Sequence, residues 1–325
     1  MIISELEADI RGPQRPLLAD SSPHIVQLLH PLPSFSVKSP HHTPVISVQM
    51  NGAEQGLTNM DRLPSILPAL ALCLLPLAHA DTRQPQPCDA ALLDSLATQL
   101  GQQGWTPPDG RGDGALLAAA CKPWPDDPAL SVVTLAYRDA EDATPAGERN
   151  LNWLVAKVDT QSGQLRERHD DYLGEDAALE IDANSLWLDT ARYHLAPGVR
   201  AFGVVVRSVA RGASCPDADA NDLLTLVVPD GPRLRPVFAT YLYSWTTVKG
   251  VACALDGDFE SEQADLTLGL GPKQAHGYAD LVVTAQVRAG WQEPVLRRVS
   301  TTVRYDGKRY PFDQFSMFWT REPQP

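Results

Sequence analysis

The run Leu223-Leu-Thr-Leu-Val-Val228, the turn Pro229-Asp-Gly-Pro232 and the run Leu234-Arg-Pro-Val-Phe-Ala-Thr-Tyr-Leu-Tyr243 decide the fold. Two apolar stretches rich in Val, Thr and Tyr flank a Pro/Asp/Gly break, which is the pattern of an antiparallel hairpin. The same reading extends downstream to Asp280–Arg288, the turn Ala289-Gly290 and Val295–Tyr305, with Asp306-Gly307 turning into a last segment, Lys308–Phe312. Upstream it gives strands over Ser131–Tyr137, Leu151–Asp159, Gln164–Arg168, Ser185–Leu188 and Ala201–Val209. Residues 128–325 are therefore expected to be mainly β, with antiparallel sheets in an incomplete propeller-like or sandwich arrangement.

Residues 81–127 read differently. Asp89 can cap a helix that places Leu92, Leu93, Leu96 and Leu100 on one face, with Gly101 and Gly104 after it. The turn-rich Pro107-Pro-Asp-Gly-Arg-Gly-Asp-Gly114 leads to a second helical segment, Ala115–Cys121, stopped by Pro123 and Pro125. A small helical hairpin is the expectation for this segment. Arg111-Gly112-Asp113 has the form of an adhesion tripeptide, for which chance is the better account in so Gly- and Asp-rich a stretch.

Further upstream lies an export signal. Met60-Asp61-Arg62 is a short basic flank, Leu63–Leu77 is an apolar run broken by Pro64, Pro68 and Pro76, and Ala78-His79-Ala80 is a small-residue cleavage triplet. The run is too short to span a bilayer and fits a cleaved signal peptide over residues 60–80. Leu70-Ala-Leu-Cys73 is a poor lipidation site because Leu72 is not small. Residues 1–59, with scattered prolines and no sustained period, read as a disordered or wrongly assigned extension.

Export sets the cysteine chemistry. The whole chain holds 27 basic and 40 acidic residues and five cysteines. Removing residues 1–80 leaves 23 basic against 34 acidic, a net charge of −11, and four cysteines: Cys88, Cys121, Cys215 and Cys253. An even number in an exported chain reads as two disulfides. Of three connectivities, Cys88–Cys121 with Cys215–Cys253 is preferred because each pair brackets its own local segment. Each bridge would stabilise by about 3–4 kcal/mol through restriction of the unfolded chain. The acidic balance argues against nucleic acid and anionic membrane surfaces as partners.

Catalytic motifs are sparse. The mature chain keeps three histidines, His169, His194 and His276, and has no H-E-x-x-H, G-x-S-x-G or phosphate-cradling glycine loop. The sequence thus favours a non-enzymatic protein over a hydrolase with dispersed residues. His169-Asp170-Asp171 with Glu175-Asp176 reads as a solvated acidic loop, against a metal site or a contact patch for a basic partner. Asp217, Asp219, Asn221 and Asp222 form a D-x-D-x-N run able to offer oxygens to Ca²⁺, although Asp222 replaces the glycine and Val228 the glutamate of an EF-hand loop. That run raises an alternative, a calcium-dependent structural or adhesion module. Trp153, Trp187, Trp245, Trp291 and Trp319 lie on or beside strands and read as core. The aromatic tail Tyr310–Trp319 is expected to dock as a last strand.

Three segments, Trp187–Gly203, Cys121-Lys-Pro-Trp-Pro125 and Tyr305-Asp-Gly-Lys-Arg-Tyr310, resemble a family of uncharacterised exported β-rich proteins of Gram-negative bacteria. The resemblance implies a periplasmic address. Some proteins of this type resemble immunity proteins that neutralise toxins of the type VI secretion system, so the implied partner is a secreted toxin enzyme such as a lipase. No functional residue carries over from it. Intact-mass measurement of the exported protein is expected to give a chain beginning at Asp81 with all four thiols oxidised.

Overall fold

The computed structural model describes residues 86–109, 114–253 and 259–321; the expected signal peptide and Arg111-Gly112-Asp113 lie outside these. One helix and eleven strands follow in chain order: α1 (Ala90–Gln99), β1 (Leu116–Pro123), β2 (Leu130–Tyr137), β3 (Asn150–Asp159), β4 (Leu165–Gly174), β5 (Leu186–Ala196), β6 (Val199–Val206), β7 (Ala218–Asp230), β8 (Arg233–Lys249), β9 (Glu260–Ala275), β10 (Tyr278–Arg288) and β11 (Arg297–Val303). The fold is mainly β and mostly antiparallel, as the hairpin pattern predicts. All eleven strands join one open sheet ordered β1-β2-β3-β4-β8-β7-β6-β5, with β9, β10 and β11 continuing from β8. The parallel contact is β4 with β8, at Arg168 and Arg233.

One sheet cannot bury two apolar faces unless it packs on itself, and the cores show that it does. One cluster joins Ala118, Val132, Trp153 and Val155 of β1–β3 to Leu188, Phe202, Val204 and Val227 of β5–β7. A second sets Leu195, Ala201, Leu226 and Val237 against Leu266, Leu281, Val283 and Val303 of β9–β11. A third packs Leu93 and Leu96 of α1 on Val133, Leu135 and Leu154. The β5–β8 layer is thus covered on both sides. Its strands, such as Phe202-Gly-Val-Val-Val206, are continuous apolar runs rather than alternating ones, as double-sided burial requires. Gly203 is needed for this closeness: a Cβ there would lie 2.5 Å from the Leu224 side chain.

Both cysteine pairs stand as expected, Cys88 with Cys121 (Cα–Cα 5.0 Å) and Cys215 with Cys253 (5.9 Å). The second expected helix is a correction, because residues 116–123 form β1, paired along β2. The seven residues Ala115–Cys121 make a marginal helix, and sheet pairing overrides the helical propensity of its alanines. Cys88–Cys121 therefore joins the approach to α1 to an edge strand. Asp89 stands at the N-cap position but makes no side-chain cap bond. Lys308–Phe312 is not a strand, and the tail docks by isolated contacts: Tyr310 N–H donates to Val237 O at 2.7 Å, the Tyr310 hydroxyl donates to Ala279 O at 2.6 Å, and Tyr310 and Trp319 are buried. β9 has no counterpart in the sequence reading.

Side-chain amides finish the ladder where strands stop. The Gln86 carbonyl accepts from Cys121 N–H of β1 at 2.9 Å. Its side chain donates to Leu188 O (2.9 Å) and accepts from Leu188 N–H (2.8 Å) on β5. One residue thereby spans two sheet edges. Gln99 does the same for the β3–β4 turn, donating to Gly163 O and accepting from Leu165 N–H. Gln86→Glu keeps the acceptor but loses the donor, so it is expected to lower unfolding free energy by about 1–3 kcal/mol, read by urea denaturation at neutral pH.

Candidate functional site

The structure separates most of the residues that the sequence marks for chemistry. His169 lies on β4, 3.8 Å from Asp171, with its ring edge-on to Trp153; His194 is exposed on β5; His276 sits in the β9–β10 turn at φ 48°. No two of them share an element. The acidic cluster divides as well. Glu175 is fully buried against Arg149 (2.6 Å) and accepts from Ile181 and Gly147 N–H. Burial opposes its ionisation, but the Arg149 hydrogen bonds and the two backbone donors outweigh that and hold its pKa below the usual value. Asp170 pairs with Arg168 on the surface, and Asp176 accepts turn N–H groups.

The expected cation loop is mostly strand, since β7 begins at Ala218. Asp222 (φ 59°) accepts from Arg207 Nε and Nη2 at 2.7 and 2.9 Å. The Asn221 amide bonds both Ser208 N–H and Ser208 O. Asp217 accepts from Ala252 N–H at 3.4 Å, beside the Cys215–Cys253 bridge. Among the described residues no group of three His, Cys, Asp or Glu side chains is placed to hold a metal. Asp222 and Asn221 of the D-x-D-x-N run are thus engaged with Arg207 and Ser208.

Two clefts accompany these elements. One, of about 280 Å³, lies beside Gln86 and is walled by Pro107, Pro108 and Trp187, with the Arg207–Asp222 pair at its side. The other, of about 520 Å³, lies where β4 and β8 diverge and is lined by Arg166, Arg168, His169 and Arg233. The first cleft also includes Ser185, whose hydroxyl donates to Asp182 Oδ1 at 3.2 Å.

The most distinctive surface lies at one end of the outer strands. Register pairs Lys249 with Glu260, Gln263 with Arg288 and Val287 with Arg297, so the β8–β9 and β10–β11 connections emerge at the same end. Val251 (62% exposed), Phe259 (45%), Trp291 (75%) and Leu296 (57%) are all there. Trp291 caps a tight turn closed by Glu293 N–H to Gly290 O, with Gln292 at φ 65°. Its exposure corrects the expectation that it is core, because it lies beyond the last β10–β11 pair. Trp153 and Trp319 are buried, while Trp187 and Trp245 are half-buried. The signal that could have exposed Trp291 is its setting, an isolated aromatic in Ala289-Gly-Trp-Gln-Glu-Pro294.

Beneath this surface Glu262 is fully buried and receives Arg297 at 2.7 and 2.5 Å and Arg321 at 2.6 Å. Arg297 also donates to Trp319 O. One carboxylate thus fixes the start of β11 and the C-terminal segment together. The chain matches no protein-family model, no curated protein and no solved structure.

The Arg297 hydrogen bonds are the main reason that the Glu262 pKa is lowered, despite its burial. A depressed folded-state value stabilises fully above the ordinary glutamate range, about pH 4.5, and is lost as pH falls through the folded value. Thermal melts from pH 7 to 3 are expected to show a loss below pH 4.5 that is shallower in Glu262→Gln, itself less stable at pH 7.

Proposed function

We propose that the chain is an exported, non-enzymatic binding protein that neutralises a secreted toxin enzyme, in the manner of a type VI immunity protein in the periplasm. The observation that carries this reading is the Trp291 surface. Large apolar side chains left out of a well-packed monomer mark interaction sites, and tryptophan is the side chain most enriched among energetic anchors of interfaces. This surface is pinned from below by the Cys215–Cys253 bridge and by Glu262, so little ordering would be lost on binding. Paired cysteines suit an oxidising compartment, and the dispersal of the three histidines suits binding better than hydrolysis.

The test is affinity purification of the tagged full chain from cells that carry the competing secretion system. The expected result is a 1:1 complex with a toxin enzyme whose activity falls in the complex. Trp291→Ala should weaken that complex by at least about tenfold while leaving the melting temperature unchanged. Recovery of no toxic enzyme, or a complex indifferent to Trp291→Ala, contradicts the reading.

A further inference from the structure

β11 pairs with β10 alone, through seven consecutive pairs from Arg297–Val287 to Val303–Leu281 without a register shift. Edge strands are usually protected by bulges, prolines or inward-facing charges, because a bare row of N–H and C=O groups invites another strand. β11 has no bulge and no proline, and its one inward charge, Arg297, is neutralised by Glu262. The other two sheet ends are treated differently: Gln86 bonds the backbone of both β1 and β5. Among the described residues nothing comparable covers the outer edge of Arg298–Thr302.

Charge identifies the occupant. Arg298 is exposed and makes no ion pair among the described residues, and Arg304, just past the strand, is 70% exposed with Asp280 only at 3.9 Å. Between them Ser300 and Thr302 are exposed and uncharged. A second copy is a poor partner, since two mature chains of net charge −11 would repel and bring like-charged edges together. We propose that the edge of β11 takes an extended, acidic segment of the protein partner as an added strand, with its carboxylates toward Arg298 and Arg304. The Trp291–Leu296 surface lies at the head of this edge and would seat an apolar residue of the same segment. The inference rests on the partner-binding reading and specifies how the partner engages.

The probe is a fluorescein-labelled octapeptide of alternating valine and glutamate, titrated into the full chain by fluorescence anisotropy, beside its valine–lysine counterpart. Saturable binding of the acidic peptide, at least about tenfold tighter than the basic one and weakened by added salt, is expected. Arg298→Glu should weaken it at least about tenfold. Ser300→Pro and Thr301→Pro remove adjacent N–H groups, one inside the ladder and one on the open edge. The variant that keeps the parent melting temperature must lose the peptide.

Equal affinity for both peptides overturns the proposal, as do binding unaffected by Arg298→Glu and a dimer abolished by the same substitution. The two readings fail separately. A toxin complex broken by Trp291→Ala but indifferent to Arg298→Glu leaves the function standing and removes the edge. Peptide binding as described, with no toxin recovered, does the reverse.

Discussion

Everything in this molecule follows from one geometric constraint: a single sheet of eleven strands has two faces, and both are apolar through its middle. Such a sheet can leave water only by covering itself. The β1–β4 segment covers one face of β5–β8 through Trp153 and Phe202, and β9–β11 covers the other through Leu281 and Val283. α1 then closes the remaining face of β1–β3. Trp124 shows how tight this layering is. Its ring lies under the Lys157 ammonium at 4.8 Å and the Arg200 guanidinium at 5.0 Å, so cations from two layers are accommodated at the boundary.

Layering leaves backbone groups at strand ends that water reaches poorly, and the chain meets them with short polar side chains rather than more strand. Gln86, Gln99 and Asn221 each present one donor and one acceptor to backbone partners, as a neighbouring strand would. Buried charge is handled with the same economy. Arg149 with Glu175, and Glu262 with Arg297 and Arg321, are multiply hydrogen-bonded, which is the condition for tolerating an ion pair away from solvent.

How much of this was legible in the sequence depends on what kind of force decided each element. Hairpins set by turn chemistry, such as β7–β8 around Pro229-Asp-Gly-Pro232, could be read directly. So could both cysteine pairs, although Cys88–Cys121 proved to join the approach to α1 to a strand. β1 could not, because its alanines prefer a helix and only pairing with β2 overrules them. β9 was hidden because Gly269, Gly271 and Pro272 resemble a loop; Gly269 pairs with Val282 of β10, while Gly271 and Pro272 lie in the register shift between Leu270 and Gln274. The Asp217–Asp222 run had the spacing of a cation loop, but Arg207 and Ser208, brought close by folding, took its last two side chains. Trp291 looked like core because strand assignment cannot say where the last pair falls.

The covered middle and the uncovered outer end are two sides of the same layering: stability resides in β6 and β7, and the outer edge of β11 is least involved in it. Native-state hydrogen exchange resolved by residue measures this most directly. The account predicts that amides of Phe202–Val206 and Leu223–Val228 exchange only through global unfolding, while those of Arg298–Thr302 not bonded to β10 exchange orders of magnitude faster. Uniform protection across β6, β7 and both edges of β11 would contradict it.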